Sequence, residues 1–510
     1  MQTPKLVFKT IAVMFATVVS RILGFLRTVV LAAVFGITWQ TDAFYMATDV
    51  VGMVSGISSS GIASAIVPMR TQKEAALGRE EADIYTSSIA NLMLLFSSVL
   101  ALVSFFFAGQ IVRIFAPSFY GEQLSETIRM FQIMSILIVI SAIISVFTGV
   151  LNSHHRYLPP QLIGISLSVV SIGFALLFGE LWGVNAMIAG FTIGTALQVS
   201  LIIPPLKGIF RYRMVLQIKN PDLFKTFVFS IPIFISIYAD TINHAVNKAL
   251  ASGLPLGSIS AMTYANQLVG LFAGVLITPI TTTLFTMFSQ LAAKDDIEHI
   301  KQLLTKVGGI LIVALAPVTM LCMLFAPELV AITFQRGSFN QEATNLTSSV
   351  FLFMMLSLAP WGLRVAISKC FIALKDSITP LICTVIGIAI NIALNFMLII
   401  PMGVNGLALA SSISAMVISI LLLVALRRKV GALGLSLWIK NGICAFIACI
   451  PMMFAALFLA RNIHAHVIIR TGVAGIAGIL VYTTALWLFG YSELREFIKK
   501  VSLKLANRKS

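Results

Sequence analysis

Two arginines lie inside the first apolar stretch of the sequence, ATVVSRILGFLRTVVLAAVFG at residues 16–36. An arginine at the centre of a membrane helix costs roughly 2.5–3.5 kcal/mol on insertion scales, so Arg21 and Arg27 require compensation. An acidic residue of the next segment, Asp42 or Asp49, could supply it through an ion pair. The alternative is a hydrated cationic cavity, in which planar guanidinium groups would bind a phosphate-bearing ligand.

The two arginines are six residues apart, which places them about 120° apart around an ideal helix. A broad cavity, or a bend at Gly24, would let both face the same space. The next segment is consistent with a cavity, because its run SGISSSGIAS at residues 55–64 is too polar to face lipid. Close packing of small residues between helices is the alternative explanation for that run.

A second polar group lies near the middle of the chain. Asp240, His244 and Lys248 recur every four residues and therefore share one helix face. They could form a salt-bridged stripe, or an ion or proton site that powers transport. Oxygen ligands suited to a hard cation such as Na⁺ lie on later segments, at Asn391, Asn395 and Ser411.

These residues are embedded in a sequence with the composition of a membrane protein. Of its 510 residues, 58% are hydrophobic and 11% are charged, with a mean hydropathy of +0.99. Apolar runs of about twenty residues recur along the whole chain, and each can cross roughly 30 Å of hydrocarbon as a helix. We therefore predict an all-α polytopic membrane protein with about fourteen transmembrane helices. The predicted segments fall near residues 10–36, 42–69, 86–108, 127–152, 159–181, 184–206, 224–250, 257–290, 305–333, 342–374, 378–400, 404–426, 437–460 and 467–490.

The basic residues indicate an orientation. With fourteen crossings and a cytoplasmic N-terminus, 25 of the 35 Lys and Arg fall on the inner side and five on the outer side. This bias predicts that both termini are cytoplasmic, and it explains the net charge of +16 without a nucleic-acid partner. The basic tail is expected to form an amphipathic helix on the anionic inner leaflet. The other five basic residues are intramembrane: Arg21, Arg27, Lys248, Arg364 and Lys369. Arg364 and Lys369 could reach the cavity mouth or the cytoplasmic interface.

An internal repeat divides the chain. Pro160 and Pro380 are 220 residues apart, and so are the Gly-Val-Asn triplets at 183–185 and 403–405. A repeat of six helices preserves topology and predicts two six-helix lobes followed by two further helices. The predicted domains are an N-terminal lobe (1–206), a cytoplasmic linker (207–223), a C-terminal lobe (224–430), transmembrane helices 13 and 14 (431–490) and the basic tail (491–510).

Enzymatic signals are poor, so we predict that the chain is not an enzyme. The sequence has no P-loop, no H-E-x-x-H, no G-x-S-x-G and no Asp-rich diphosphate motif. A transferase acting on polyprenyl phosphate would require a metal-binding acidic cluster, for which Asp42 and Asp49 are insufficient. The five cysteines all sit in apolar segments and are interpreted as small core residues.

Four motifs resemble one family of membrane proteins. They are SRILGFLRTVVLAAVFG with TDAF (20–44), ASGLPLGSISAMTYANQL (251–268), FQRGSFN (334–340) and ALKDSITP (373–380). Together they resemble the MurJ (MviN) family of lipid II flippases, which belongs to the MOP exporters. The resemblance implies a two-lobe, V-shaped cavity and alternating access. It also implies export of the undecaprenyl-diphosphate-linked peptidoglycan precursor across the bacterial cytoplasmic membrane, for cell wall biogenesis and cell shape.

The resemblance also implies roles for individual residues. Arg21 and Arg27 would bind the diphosphate, and Asp42 would be a functional partner. The candidate substrate-binding set is Ser20, Arg21, Arg27, Asp42, Lys248, Gln267 and Arg364. The candidate sodium site is Asp240, Asn391, Asn395 and Ser411, with Asn243 and Asn247 as substitutes. We expect no cofactor other than Na⁺ as a coupling ion, lipids and a lipid-linked saccharide as partners, and a monomer.

Two positions depart from the family pattern. Family members often carry a basic residue within the region that here is Ser55–Ser60, and another where this chain has Gln267. Lys248 or Arg364 could compensate for the two missing charges. Otherwise the substrate would be a different lipid-linked oligosaccharide. A drug/cation antiporter of the same superfamily is a further alternative, which would favour acidic, aromatic-lined sites over cavity arginines.

Overall fold

A computed structural model describes residues 4–59, 62–217, 238 and 240–489, and this part of the chain is helical without a β-strand. The first helices are α1 (Pro4–Phe35), α2 (Trp39–Ser59), α3 (Ile62–Leu77), α4 (Arg79–Phe106), α5 (Ala108–Phe115), α6 (Gly121–Met134), α7 (Ile136–Ser153), α8 (Leu158–Trp182), α9 (Val184–Ile202) and α10 (240–251). The remaining helices are α11 (Ser258–Ala292), α12 (Ile297–Leu324), α13 (Ala326–Phe334), α14 (Gln341–Met355), α15 (Leu358–Ala373), α16 (Ile378–Met402), α17 (Val404–Val430), α18 (Leu435–Asn462) and α19 (Val467–Leu488).

The chain forms two compact units. Unit 1 runs up to Thr263 and includes Arg336–Ala343, whereas unit 2 contains Tyr264–Gln335 and the chain from Thr344 onward. In unit 1, α2 and α3 pack on α7, and α1 packs along α8. In unit 2, α12 packs on α15 and α18, and α18 packs on α19, where the Tyr482 hydroxyl donates to the Val313 carbonyl at 2.7 Å. The predicted lobe boundaries near residues 206 and 224 stay a prediction.

The helices confirm a polytopic membrane fold, with an adjusted span count. Eleven described helices are long and apolar enough to cross a membrane, or twelve if the pair α14 and α15, bent by 43°, forms one span. The two other predicted segments are the second and the seventh. The second contains α2 and α3, with residues 60 and 61 outside the described part of the chain, and most of the seventh also lies outside it. The predicted amphipathic tail (491–510) also lies outside them.

The predicted repeat is visible in the helix boundaries and in the turns between helices. Helices α8 and α16 have 25 residues each and begin 220 residues apart. The glycine after each has the same unusual backbone: φ 53° and ψ −135° at Gly183, φ 56° and ψ −132° at Gly403. The turns that precede these two helices match as well, because His155 and Lys375 have positive φ values of 56° and 58°. The same supersecondary unit therefore occurs twice.

The positive φ values at Gly183 and Gly403 are expected to require glycine, because other residues are strained in this conformation. Nothing lies within 4 Å of a Cβ added at Gly183 or Gly403, so an alanine there meets strain and no clash. We expect Gly403→Ala to destabilise the protein by about 1–3 kcal/mol, measured as a lower Tm in detergent. Gly472→Ala is the matched control, since Gly472 also has open space around it but lies within α19 with an ordinary φ. Equal Tm values for the two variants would contradict the assignment.

The described part of the predicted linker packs on unit 1 through a buried arginine. Arg70, at 0% exposure, forms an ion pair with Asp83 (2.6 Å) and donates to the Thr86 hydroxyl (2.8 Å) and to the Ile209 carbonyl (3.2 Å). His154 Nε2 lies 3.5 Å from the same guanidinium. Burial lowers the pKa of His154, despite the opposing charge of the Glu74 carboxylate 3.4 Å away, and this favours the neutral imidazole beside Arg70. We call Arg70, Asp83, Thr86, His154 and Ile209 the Arg70 network.

Candidate functional site

The site begins with the two arginines of α1. Arg21 is exposed, whereas Arg27 is half-buried with its guanidinium carbon 5.9 Å from the centre of the Phe191 ring on α9. Within the described chain, neither guanidinium forms an ion pair with a carboxylate. Both predicted acidic partners contact other groups. The ion-pair interpretation of Arg21 and Arg27 is therefore wrong for the described residues.

Asp42 caps another helix. Its carboxylate is 3% exposed and accepts hydrogen bonds from the backbone N–H of Gly257 (2.7 Å), the backbone N–H of Ser260 (2.7 Å) and the Ser260 hydroxyl (2.6 Å). These donors belong to the start of α11, where a helix has N–H groups without partners and a partial positive charge. The substrate-binding role predicted for Asp42 stays a prediction, and a substrate would have to replace these hydrogen bonds.

Removing the charge of Asp42 is expected to weaken this cap. In Asp42→Asn the amide can still accept from Ser260, but its NH₂ group then faces the N–H of Gly257. Because a buried donor is left unsatisfied, we expect a loss of about 1–3 kcal/mol, measured as a lower Tm in detergent. Asp296→Asn is the control, since Asp296 is a half-buried cap that accepts one backbone bond, from His299, whose ring also pairs with it, and Asn caps equally well. A wild-type Tm for Asp42→Asn would show that the carboxylate charge does not matter.

The C-terminal end of α1 contacts a second short segment of unit 1. The backbone N–H of Ser338 donates to the Ala33 carbonyl at 2.7 Å, and its hydroxyl donates to the Val34 carbonyl at 2.8 Å. Gly337 adopts φ +56°, and a Cβ there would collide with the backbone of Ala33. The end of α1 is thus held by Gly337 and Ser338 of the FQRGSFN motif.

Asp49 forms an ion pair with Lys248 on α10. Asp240, His244 and Lys248 were predicted to share one helix face and to form a salt-bridged stripe or an ion site there. The ionic partner of Lys248 is instead Asp49 on α2, about 200 residues away in the sequence. The charge on Lys248 is therefore already neutralised by a carboxylate in this structure.

The other predicted substrate-binding residues are placed as follows. Ser20 lies against α8, where its Oγ occupies the space that a Cβ at Gly164 would need. Gln267 is exposed on α11, and Arg364 is half-buried on α15. The Lys369 ammonium, which was expected at the cavity mouth or the cytoplasmic interface, lies 5.0 Å from the centre of the Phe285 ring. The membership of these residues in one binding site stays a prediction.

The predicted sodium ligands are divided between the units. Asn391 and Asn395 are fully buried on α16 in unit 2, and the Asn395 amide donates to the Asn391 side-chain oxygen at 3.1 Å. Ser411 on α17 donates to the carbonyl of Leu407. Asp240 is exposed on α10 in unit 1, and the alternative ligand Asn247 is buried there. The four-residue sodium site stays a prediction.

Solved structures of membrane transporters share the repeated helical architecture of this chain. A MATE family transporter of the MOP superfamily, solved in an inward-facing conformation, has the same fold, with a TM-score of 0.68 and 15% identity over 80% of this chain and 94% of that chain. A solved lipid II flippase MurJ in an inward-closed conformation matches with a TM-score of 0.82 and 23% identity over 96% of this chain and 100% of that chain. The chain thus has the fold of MOP-superfamily transporters.

Within that class, sequence comparison identifies the family. The family model described as Lipid II flippase MurJ matches residues 31–476, and the chain belongs to this family. The probable lipid II flippase MurJ of Buchnera aphidicola is 26% identical over 88% of this chain and 90% of that protein. The corresponding protein of Borreliella burgdorferi is 27% identical over 81% of this chain and 82% of its own length. The chain is therefore a multi-pass transporter of the bacterial inner membrane, not an enzyme, as the motifs predicted.

Proposed function

We propose that this chain translocates lipid II, an undecaprenyl-diphosphate-linked peptidoglycan precursor, from the inner to the outer leaflet. The observation that carries the proposal is the pair of arginines on α1, which have no carboxylate partner within the described chain. An unneutralised guanidinium in an apolar helix requires an anion or water, and its planar donors match phosphate oxygens. The family to which the chain belongs supports a lipid diphosphate as that anion.

The proposed mechanism is alternating access. The diphosphate headgroup enters from the inner leaflet and binds Arg21 and Arg27, while the polyprenyl tail stays in lipid. The site then closes to the inside and opens to the outside. A ligand shifts such an equilibrium only by its differential affinity for the two states. The headgroup, a bound Na⁺ or the membrane potential must therefore stabilise one state over the other.

Three further features complete the proposal. Both termini are cytoplasmic, which the excess of Lys and Arg in the inner loops supports. Sodium binds in unit 2 through Asn391, Asn395 and Ser411, which the buried amide groups on α16 support. The chain acts as a monomer, with a lipid-linked saccharide and membrane lipids as its partners.

Native mass spectrometry of the purified full-length protein tests the substrate. We expect an adduct with the mass of lipid II that is lost in Arg21→Ala. Another polyprenyl-diphosphate saccharide in its place would favour a flippase for a different lipid-linked oligosaccharide, an alternative that the uncharged Gln267 and Ser55 motivate. A cationic small molecule bound without any diphosphate lipid would overturn the proposal in favour of an antiporter.

A further inference from the structure

An ion pair between α2 and α10 lies in the part of unit 1 that carries the proposed substrate site. The carboxylate of Asp49 accepts from the ammonium of Lys248. The side chain of Asp49 is 42% exposed and that of Lys248 is 16% exposed. The pair is thus open mainly on the Asp49 side, and this is the side from which an anion would reach it.

The pair lies one helical turn away from the surroundings of Arg27. Tyr45 is four residues before Asp49 and therefore shares its face of α2. The Phe44 ring lies edge-on to the Tyr45 ring, with their centres 5.5 Å apart, and it packs on Phe191, the ring that Arg27 faces. Asp49 therefore lies about one turn along α2 from the aromatic residues that approach Arg27.

An ammonium group makes a weakly directional bond, and its anionic partner can be exchanged. Lysine presents a compact charge with three donors on a flexible stem, so a carboxylate and a phosphate oxygen are interchangeable partners. A diphosphate carries more negative charge than one carboxylate and offers more acceptor oxygens. Once released, the exposed carboxylate of Asp49 can be solvated, whereas an unpaired Lys248, which is more buried, would retain its desolvation cost.

We propose that the diphosphate of the substrate competes with Asp49 for Lys248, so that substrate binding breaks the ion pair between α2 and α10. This inference rests on the proposed function, because it requires a lipid diphosphate at the arginines. Lys248 then contributes a third cation to the headgroup site when Asp49 releases it. Asp49 acts as an internal competitor that sets affinity and keeps α2 joined to α10 until a suitable anion arrives.

Competition makes opposite predictions for the two members of the pair. The test measures the affinity of the full-length protein in nanodiscs for undecaprenyl diphosphate. We expect Asp49→Asn to bind about tenfold more tightly, a coupling typical of linked sites, and Lys248→Gln to bind more weakly. The double variant is expected to bind like Lys248→Gln, because removing the competitor has no effect once the contested cation is absent. Asp49→Asn is also expected to transport more slowly, since the bound state is stabilised.

Two controls separate competition from a structural role. Glu328→Gln disrupts the ion pair of Glu328 and Arg470 in unit 2, whose side chains are also partly exposed, and is expected to leave the affinity unchanged. Carbodiimide labelling of Asp49 in the wild-type protein requires no variant to fold. It is expected to increase when undecaprenyl diphosphate is added, because the carboxylate loses its partner.

The outcomes distinguish this inference from the proposed function. Unchanged or weaker binding by Asp49→Asn would overturn the competition, and so would unchanged labelling of Asp49. In either case the proposed function would stand as long as the Arg21 and Arg27 variants lost affinity. If wild-type protein bound undecaprenyl diphosphate no better than undecaprenol, the proposed function and the competition would both be refuted.

Discussion

Replacement of Arg21 or Arg27 by alanine is expected to abolish growth of cells depleted of their own lipid II flippase, with wild-type amounts of protein in the membrane. Each guanidinium would make charge-assisted hydrogen bonds to the diphosphate, worth about 1.5–3 kcal/mol, and each 1.4 kcal/mol changes affinity about tenfold. Because neither arginine has an acidic partner in the described chain, its loss leaves no buried carboxylate unpaired. The protein should therefore fold and fail in transport.

Lysine substitutions sharpen the expectation. Lysine keeps the charge but loses the planar donors, so Arg21→Lys and Arg27→Lys should retain part of the activity. Arg27→Lys is expected to lose more, because the guanidinium of Arg27 also faces the Phe191 ring. Complementation and the amount of diphosphate lipid that co-purifies are the two measurements.

A matched arginine outside α1 provides the control. Arg129 on α6 donates to Glu126 and to Asn185, both at 2.6 Å, and its alanine variant should support normal growth. Normal growth with Arg21→Ala and Arg27→Ala would remove the basis for assigning the headgroup to α1, whatever the Arg129 variant does.

The sequence was informative wherever a residue type was unusual for its surroundings. An arginine in an apolar segment stands out without any knowledge of its neighbours, and the 220-residue repeat is visible as an offset. The partners of these charges were not predictable. Asp42 and Asp49 were considered as partners of the arginines because they lie on the next segment. Asp42 instead caps α11, more than 200 residues away in the sequence, and Asp49 pairs with Lys248. Such contacts depend on tertiary packing, which periodicity does not report.

Arg70 is a charge whose burial the sequence did not reveal. Its position after an apolar segment, with Lys73 and Arg79 nearby, is typical of a solvated inner loop. In the structure α3 continues to Leu77, and residues 204–217 fold over the start of α4. A charge that looks peripheral in the sequence is therefore fully buried, because a distant segment covers it.

Burial makes Arg70 the residue outside the substrate site whose loss should have the largest effect on stability. Arg70→Met removes one member of a buried ion pair and leaves the Asp83 carboxylate, with a side chain 6% exposed, without its guanidinium. We expect a loss of about 3–5 kcal/mol, seen as a much lower Tm and less folded protein in detergent. Arg70 also holds the Ile209 carbonyl, so trypsin should cleave the variant more rapidly after Lys207 and Arg211.

A substitution of Arg79 tests whether the stability loss in Arg70→Met comes from the burial of Arg70 or only from the loss of a positive charge near Asp83. Arg79 lies 4.0 Å from the same carboxylate, but its side chain is 48% exposed, so Arg79→Met is expected to cost less than about 1 kcal/mol. Replacing both members, in Arg70→Met with Asp83→Leu, leaves neither charge of the buried ion pair and should recover part of the stability lost in Arg70→Met alone. If Arg70→Met and Arg79→Met lowered the Tm equally, the network would act as a surface ion pair. Residues 204–217 would then be held on α4 by the backbone bonds of Arg211 and Arg213 to Asp83 and Ser87 instead.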